Sequence, residues 1–223
     1  MRTKHWPTTL SRVFVSLALA GLVAITLGIA PASAATFKIA VGIGLDTLDP
    51  VQMTTTTVAN VVKYTVETLT TIDETGKVLP MLAESWTASA DGTEHTFKLR
   101  KGVTFHDGSP FDAKAVKWNF DRLIDPDVRV PIRASYPIKK TEIVDSHTVK
   151  VTLKHPSGPF VGALSWTTSG ILSPASVDKH GNSYKNYNSH IVGTGPYTFK
   201  ERKKGESVTV TKNAAYWGKK PYY

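Results

Sequence analysis

Between Ala83 and Arg100 the sequence leaves little choice besides an antiparallel hairpin. Ala83-Glu84-Ser85-Trp86-Thr87 reads as a first arm and Asp91-Gly92 as a turn; Glu94 opens a second arm in which His95, Phe97 and Leu99 alternate with Thr96, Lys98 and Arg100. The pattern recurs twice. Glu142-Ile143-Val144 and Thr148 to Leu153 flank Asp145-Ser146-His147, and Tyr197 to Lys200 and Val208 to Thr211 flank Lys204-Gly205-Glu206. A helix falls among these hairpins. Asp112 is its expected N-cap, Val116, Phe120 and Leu123 stand at i, i+4 and i+7, and Asp125-Pro126 ends it. The spacing of Val58, Val61, Val62, Thr65 and Leu69 predicts another helix, and Thr36 to Val41 predicts a short strand running into Gly42-Ile43-Gly44. Pro156-Ser157-Gly158-Pro159 breaks the pattern, which suggests a boundary near His155.

The first residues follow a different logic. Arg2, Lys4 and Arg12 precede an apolar run from Val13 to Ile29, followed by Pro31-Ala32-Ser33-Ala34-Ala35. This is the layout of a secretory signal peptide, with cleavage expected after Ala34; the run falls short of the ~20 residues that span a bilayer comfortably. Removing residues 1–34 takes away three basic and no acidic groups, which lowers the formal net charge from +9 to +6. The remaining charges stand singly or in pairs such as Lys139-Lys140, Lys203-Lys204 and Lys219-Lys220, and read as a solvated surface with no nucleic acid partner. The chain holds no cysteine, which excludes disulfides, thiolate metal sites, a cysteine nucleophile and the lipidated cysteine of an anchored exported protein. A freely diffusing protein in the periplasm of a double-membraned bacterium is expected. At 223 residues, 41% of them apolar, the chain can bury a sizeable core, yet it stops at Tyr222-Tyr223 with uncapped aromatic rings, so a longer protein is expected.

Few residues suggest catalysis. Gly108 and Pro110 place His106-Asp107 in a turn whose carboxylate can accept backbone N–H groups, a structural use. The histidines at 95, 147, 155, 180 and 190 show no spacing that would converge on a metal ion. Gly193-Thr194-Gly195 lacks the phosphate-loop pattern and leads into a strand, so it reads as a tight structural loop. No G-x-S-x-G elbow accompanies Ser165, Ser169 or Ser173. Neither a catalytic residue nor a cofactor is expected. Trp86, Trp118 and Trp217 sit in apolar patterns and read as packing anchors.

Two ordered blocks carry a family resemblance. Leu82-Ala83-Glu84-Ser85-Trp86, Phe97 to Val103, Phe105-His106-Asp107-Gly108-Ser109-Pro110-Phe111 and the helix after Asp112 form the first. Val192-Gly193-Thr194-Gly195-Pro196-Tyr197, Gly205 to Val208 and Asn213-Ala214-Ala215-Tyr216-Trp217-Gly218 form the second. Together they resemble the family 5 extracellular solute-binding proteins, which include oligopeptide-, dipeptide- and nickel-binding proteins.

The resemblance implies a two-lobed α/β fold, the periplasmic binding protein type 2 fold, closing on solute like a hinged trap; most of the first lobe would be present here. It assigns 35–64 and 155–223 to that lobe's main part and 65–154 to an inserted subdomain. It implies a monomeric receptor that captures peptides or related small solutes and hands them to the membrane permease of an ABC importer. By similarity to the family, the segments holding Met53, Thr54 and Thr56, and Trp166, Thr167 and Thr168, would line the cleft, with hydroxyls bonding the solute and an indole stacking on it. Charged anchors would come chiefly from the second lobe. An exported hydrolase, or an adhesin or signalling receptor on the same fold, remain the alternatives.

Overall fold

The computed structural model describes residues 44–177, 179 and 181–221. The leader, the strand expected at Thr36 to Val41, His180 and the terminal tyrosine pair lie outside the described residues. In chain order the elements are α1 (Thr56–Val62), β1 (Thr70–Ile72), β2 (Val78–Pro80), β3 (Ala83–Ala88), β4 (Glu94–Leu99), α2 (Ala113–Ile124), β5 (Ile138–Asp145), β6 (Thr148–Leu153), the single turn α3 (Phe160–Ala163), β7 (Tyr197–Lys203) and β8 (Ser207–Lys212).

All three expected hairpins form. β3 and β4 meet around Asp91-Gly92, where Asp91 accepts Ser89 Oγ at 2.5 Å and Thr93 Oγ1 at 2.8 Å and Gly92 takes the positive φ of 68° that the turn needs. β5 and β6 join this pair in an antiparallel sheet ordered β3-β4-β6-β5. Trp86 pairs with Phe97 and Phe97 with Val149, while His95 lies between Ala88 and Val151, so alternate positions on the central strands β4 and β6 face one core. α2 packs on β5 and β6, inserting Val116, Phe120 and Leu123 among Phe97, Leu99, Val149 and Val151. Asp112 caps α2 as expected, accepting from the Ala115 backbone N–H at 2.9 Å.

Two local readings differ from the structure. α1 ends at Val62 instead of running on to Leu69, because the backbone beyond it is claimed by distant partners. The Tyr64 and Thr65 carbonyls accept the N–H groups of Tyr197 and Gly195, and the Glu67 carbonyl accepts that of Ile171. Tertiary pairing thus overrides a helix pattern already weakened by β-branched residues. The β1–β2 hairpin was not expected. Its strands are three residues each, too short for alternation to register, and its loop is organised by Asp73, whose Oδ1 accepts from Thr75 N at 2.9 Å and Lys77 N at 3.0 Å.

A second cluster of Leu48, Met53, Val58, Val62, Leu172, Tyr187 and Phe199 lies under α1 and the β7–β8 hairpin. Gly193-Thr194-Gly195 runs so close to α1's exit that a Cβ on Gly193 would stand 2.1 Å from the Thr65 carbonyl oxygen, and one on Gly195 2.8 Å from that of Tyr64. No side chain fits there. Gly193→Ala is expected to destabilise the protein by about 2 kcal/mol through forced backbone displacement, read as a lowered urea midpoint with unchanged m-value.

Candidate functional site

The two segments assigned to the cleft by resemblance lie side by side. Asp49-Pro50 starts a tight helical turn, Pro50–Gln52, in which Asp49 accepts from the Val51 N–H and proline occupies the first position. That turn packs against a second one, Thr167–Ser169. Around this corner Thr54 and Thr56 are exposed, Trp166 is 47% exposed and Thr167 is half-buried. Met53 and Thr168 are buried, at 6% and 5% exposure. Thr54 Oγ1 donates to Asp46 Oδ2 at 3.2 Å, which adds an exposed carboxylate to the corner. Trp166 is held from behind: its carbonyl accepts both the Ser169 N–H and the Ser169 hydroxyl at 2.9 Å.

Trp166 also rims an open depression of about 380 Å³ with Ile72, Val78, Pro137, His155 and Pro159. A neighbouring depression of about 440 Å³ shares Val78, Ser157 and Gly162 and reaches Trp86 and His95. Neither is lined by Asp, Glu, Lys or Arg. Among the described residues no group of three His, Cys, Asp or Glu side chains is placed to hold a metal ion.

Below the corner lie buried polar groups. Asp49 and Arg122 pair at 2.6 Å with both side chains fully buried; Asp49 Oδ2 also accepts the Tyr187 N–H at 2.8 Å, and Arg122 Nε donates to the Tyr184 carbonyl at 2.7 Å. The Arg122 guanidinium lies 5.2 Å from the centre of the Trp118 ring. From α2, Asn119 both donates to the Leu172 carbonyl at 2.8 Å and accepts the Leu172 N–H at 3.0 Å, fixing the chain that leaves the second turn. Glu67 is buried and receives Thr194 Oγ1 and Trp217 Nε1 at 2.7 Å and Tyr216 Oη at 2.6 Å. Burial pushes its pKa up, opposed by these three hydrogen bonds.

His106 and Asp107 have the structural use read from the sequence. Asp107 accepts Ser109 Oγ at 2.5 Å and Ser173 Oγ at 2.7 Å. Burial disfavours its ionised form, but these bonds outweigh it and hold the carboxyl below its ordinary range. His106 Nε2 donates to the Gly195 carbonyl at 2.9 Å, a bond that fixes the tautomer, and its buried Nδ1 has no partner. His95 lies between the rings of Phe97 and Phe160. Burial pushes both pKa values below 6.5. The unfolded chain therefore binds protons just below pH 6.5 where the folded one does not, so stability present above that pH is lost as pH falls through it. Urea unfolding from pH 7.5 to 5 is expected to show this loss, reduced in His95→Phe.

Asp49, Arg122, Asn119 and Glu67 were not singled out from sequence. The available signal was a charged or amide residue inside an apolar stretch, as with Arg122 between Phe120 and Leu123. Trp217, read as a packing anchor, packs against the core while donating to Glu67 and lying 4.6 Å beneath the Arg100 guanidinium.

With this geometry in hand, known proteins give a consistent picture. The glutathione-binding protein GsiB of Salmonella choleraesuis (strain SC-B67) is 41% identical over 180 residues, covering 80% of this chain and 35% of that protein. The periplasmic binding protein DppA of Helicobacter pylori, solved with the peptide STSA, aligns over 79% of this chain and 38% of its own with a TM-score of 0.68 and 31% identity. NikZ of Campylobacter jejuni, solved with Ni(L-His), aligns over 79% and 35% with a TM-score of 0.71 and 31% identity. The chain spans about 35 to 39% of the length of the curated relatives it matches. The α/β class and the likeness to periplasmic binding proteins are both as the sequence led us to expect. Residues 77–223 match the family's middle region, and the chain belongs to the bacterial extracellular solute-binding proteins, family 5.

Proposed function

We propose that this chain is the solute-grasping first lobe of an ABC importer's binding protein, exported with cleavage after Ala34 and acting in the periplasm without catalysing a reaction. The cargo is a peptide or related small solute, which the closed protein passes to the membrane permease. The observation that carries this reading is the packing of Pro50–Gln52 on Thr167–Ser169, which joins into one wall the two segments that hold the exposed Thr54, Thr56 and Trp166. Such a wall offers hydroxyls to a solute's polar backbone and an indole face to a side chain, and makes no covalent demand on it. Glutathione, the peptide STSA and Ni(L-His), named with the relatives, are small peptide-like solutes or an amino-acid chelate.

Calorimetry on the complete protein with glutathione, short peptides and Ni(L-His) tests the reading. One of these is expected to bind, and Trp166→Ala is expected to weaken it about tenfold through lost stacking while leaving the melting temperature unchanged. Turnover of the bound compound, or binding indifferent to Trp166→Ala, would reject it.

A further inference from the structure

Beyond residue 34 the net charge of this chain is concentrated near its end. Residues 200–220 carry seven basic groups (Lys200, Arg202, Lys203, Lys204, Lys212, Lys219 and Lys220) against Glu201 and Glu206, a net of +5. Residues 35–199 carry seventeen basic and sixteen acidic groups, a net of only +1. A reading by pairs of lysines missed this asymmetry. Folding gathers five of the seven basic groups on one hairpin, since β7 and β8 pair from Tyr197↔Lys212 to Lys203↔Ser207 with Phe199 buried as the anchor, and Lys219 and Lys220 follow in the next few residues. The six lysines are all exposed, and Lys200, Lys204, Lys219 and Lys220 have no ion-pair partner among the described residues. Lys203 meets Glu206 at 3.8 Å, a loose exposed pair.

From this distribution we propose that the β7–β8 hairpin and the segment after it form an electropositive surface that docks on anionic phospholipid headgroups. The basic groups are overwhelmingly lysines, compact charges on flexible stems that suit a fluid array of phosphates better than the fixed fork of a carboxylate. The one arginine is already engaged, donating to Asn188 Oδ1 and the Leu45 carbonyl. The aromatic rings that would stack on nucleobases are also committed. Phe199 is buried, and Tyr216 and Trp217 are bound to Glu67. Contacts of this kind reach about a Debye length, so they hold a diffusing receptor near a membrane without inserting it.

Cosedimentation of the full chain with vesicles tests the proposal, comparing phosphatidylcholine alone with equal parts phosphatidylcholine and phosphatidylglycerol. Binding is expected to the anionic vesicles at low salt, and to be lost at about 0.5 M salt, where the Debye length is a few Å. Replacing Lys200, Lys204, Lys219 and Lys220 together by Gln should weaken it by more than tenfold, from roughly fivefold per lysine. Replacing Lys77, Lys101, Lys114 and Lys154 together, an equal change in net charge, should weaken it less than threefold. Circular dichroism verifies that both variants fold. Equal binding to neutral vesicles, equal loss in the two variants, or equally tight, patch-dependent binding to a DNA duplex would each overturn the proposal. Failure of these outcomes leaves solute capture untouched, since calorimetry reads that independently.

Discussion

Replacing Asp49 by alanine, or Arg122 by alanine, is expected to lower the unfolding free energy by about 3 to 5 kcal/mol, because each substitution strands the other's charge in a fully buried site. Against a total of about 5 to 15 kcal/mol for an ordinary domain, that is a large fraction. The cost arises from desolvation more than from the lost attraction. Arg122 without Asp49 would keep Nε on the Tyr184 carbonyl and its face on Trp118, but would lose the one salt bridge it makes among the described residues. Asp49 without Arg122 would keep the N–H groups of Val51 and Tyr187, two neutral donors for a full negative charge. The two losses overlap. The double variant Asp49→Leu with Arg122→Met should therefore cost less than the two single alanine losses added together, and a double-mutant cycle by urea unfolding at pH 7 measures the difference. Single variants within about 1 kcal/mol of the parent would show that water reaches the pair, contrary to its complete burial.

Glu67→Ala is the second large effect, expected at about 3 kcal/mol, since it leaves the Thr194 hydroxyl, the Tyr216 hydroxyl and the Trp217 indole N–H without their shared acceptor. Glu67→Gln separates the roles of charge and acceptor. The amide oxygen can take Trp217 and Thr194, and the Tyr216 hydroxyl can rotate to accept the amide N–H, so a loss of about 1 kcal/mol or less is expected at pH 7. The pH dependence has a definite sign. Because burial raises the Glu67 pKa above 4.5, the folded state holds its proton longer than the unfolded one, and stability falls as pH rises through the window above 4.5. Glu67→Gln should flatten that slope, and a slope unchanged from the parent would show that Glu67 is hydrated.

What could be read in advance was whatever a short stretch of chain decides for itself. Gly92 and Gly205 sit at turns flanked by alternating residues, and Asp112 caps its own helix three residues on, so those elements followed from neighbours in sequence. α1 was drawn too long because its end is decided by Gly195 and Tyr197, far along the chain. The polar ties escaped for the same reason. Arg122 meets Asp49 across 73 positions, and Thr194 meets Glu67 across 127. Resemblance proposed the two cleft segments, but only packing distinguishes exposed Thr54 and Trp166 from buried Met53 and Thr168.

The approach of Gly193 and Gly195 to the backbone at Tyr64 and Thr65 also sets an order of events. The β3-β4-β6-β5 sheet draws on one uninterrupted run of about seventy residues, so it can assemble while the rest of the polypeptide is still being made. The Thr65 carbonyl, by contrast, must wait for the Gly195 N–H, and the cavity meant for Glu67 stays open until Trp217 arrives. A ribosome stalled before residue 193 would therefore present a finished sheet attached to an unsealed half, the state in which quality-control proteases would find their cut sites.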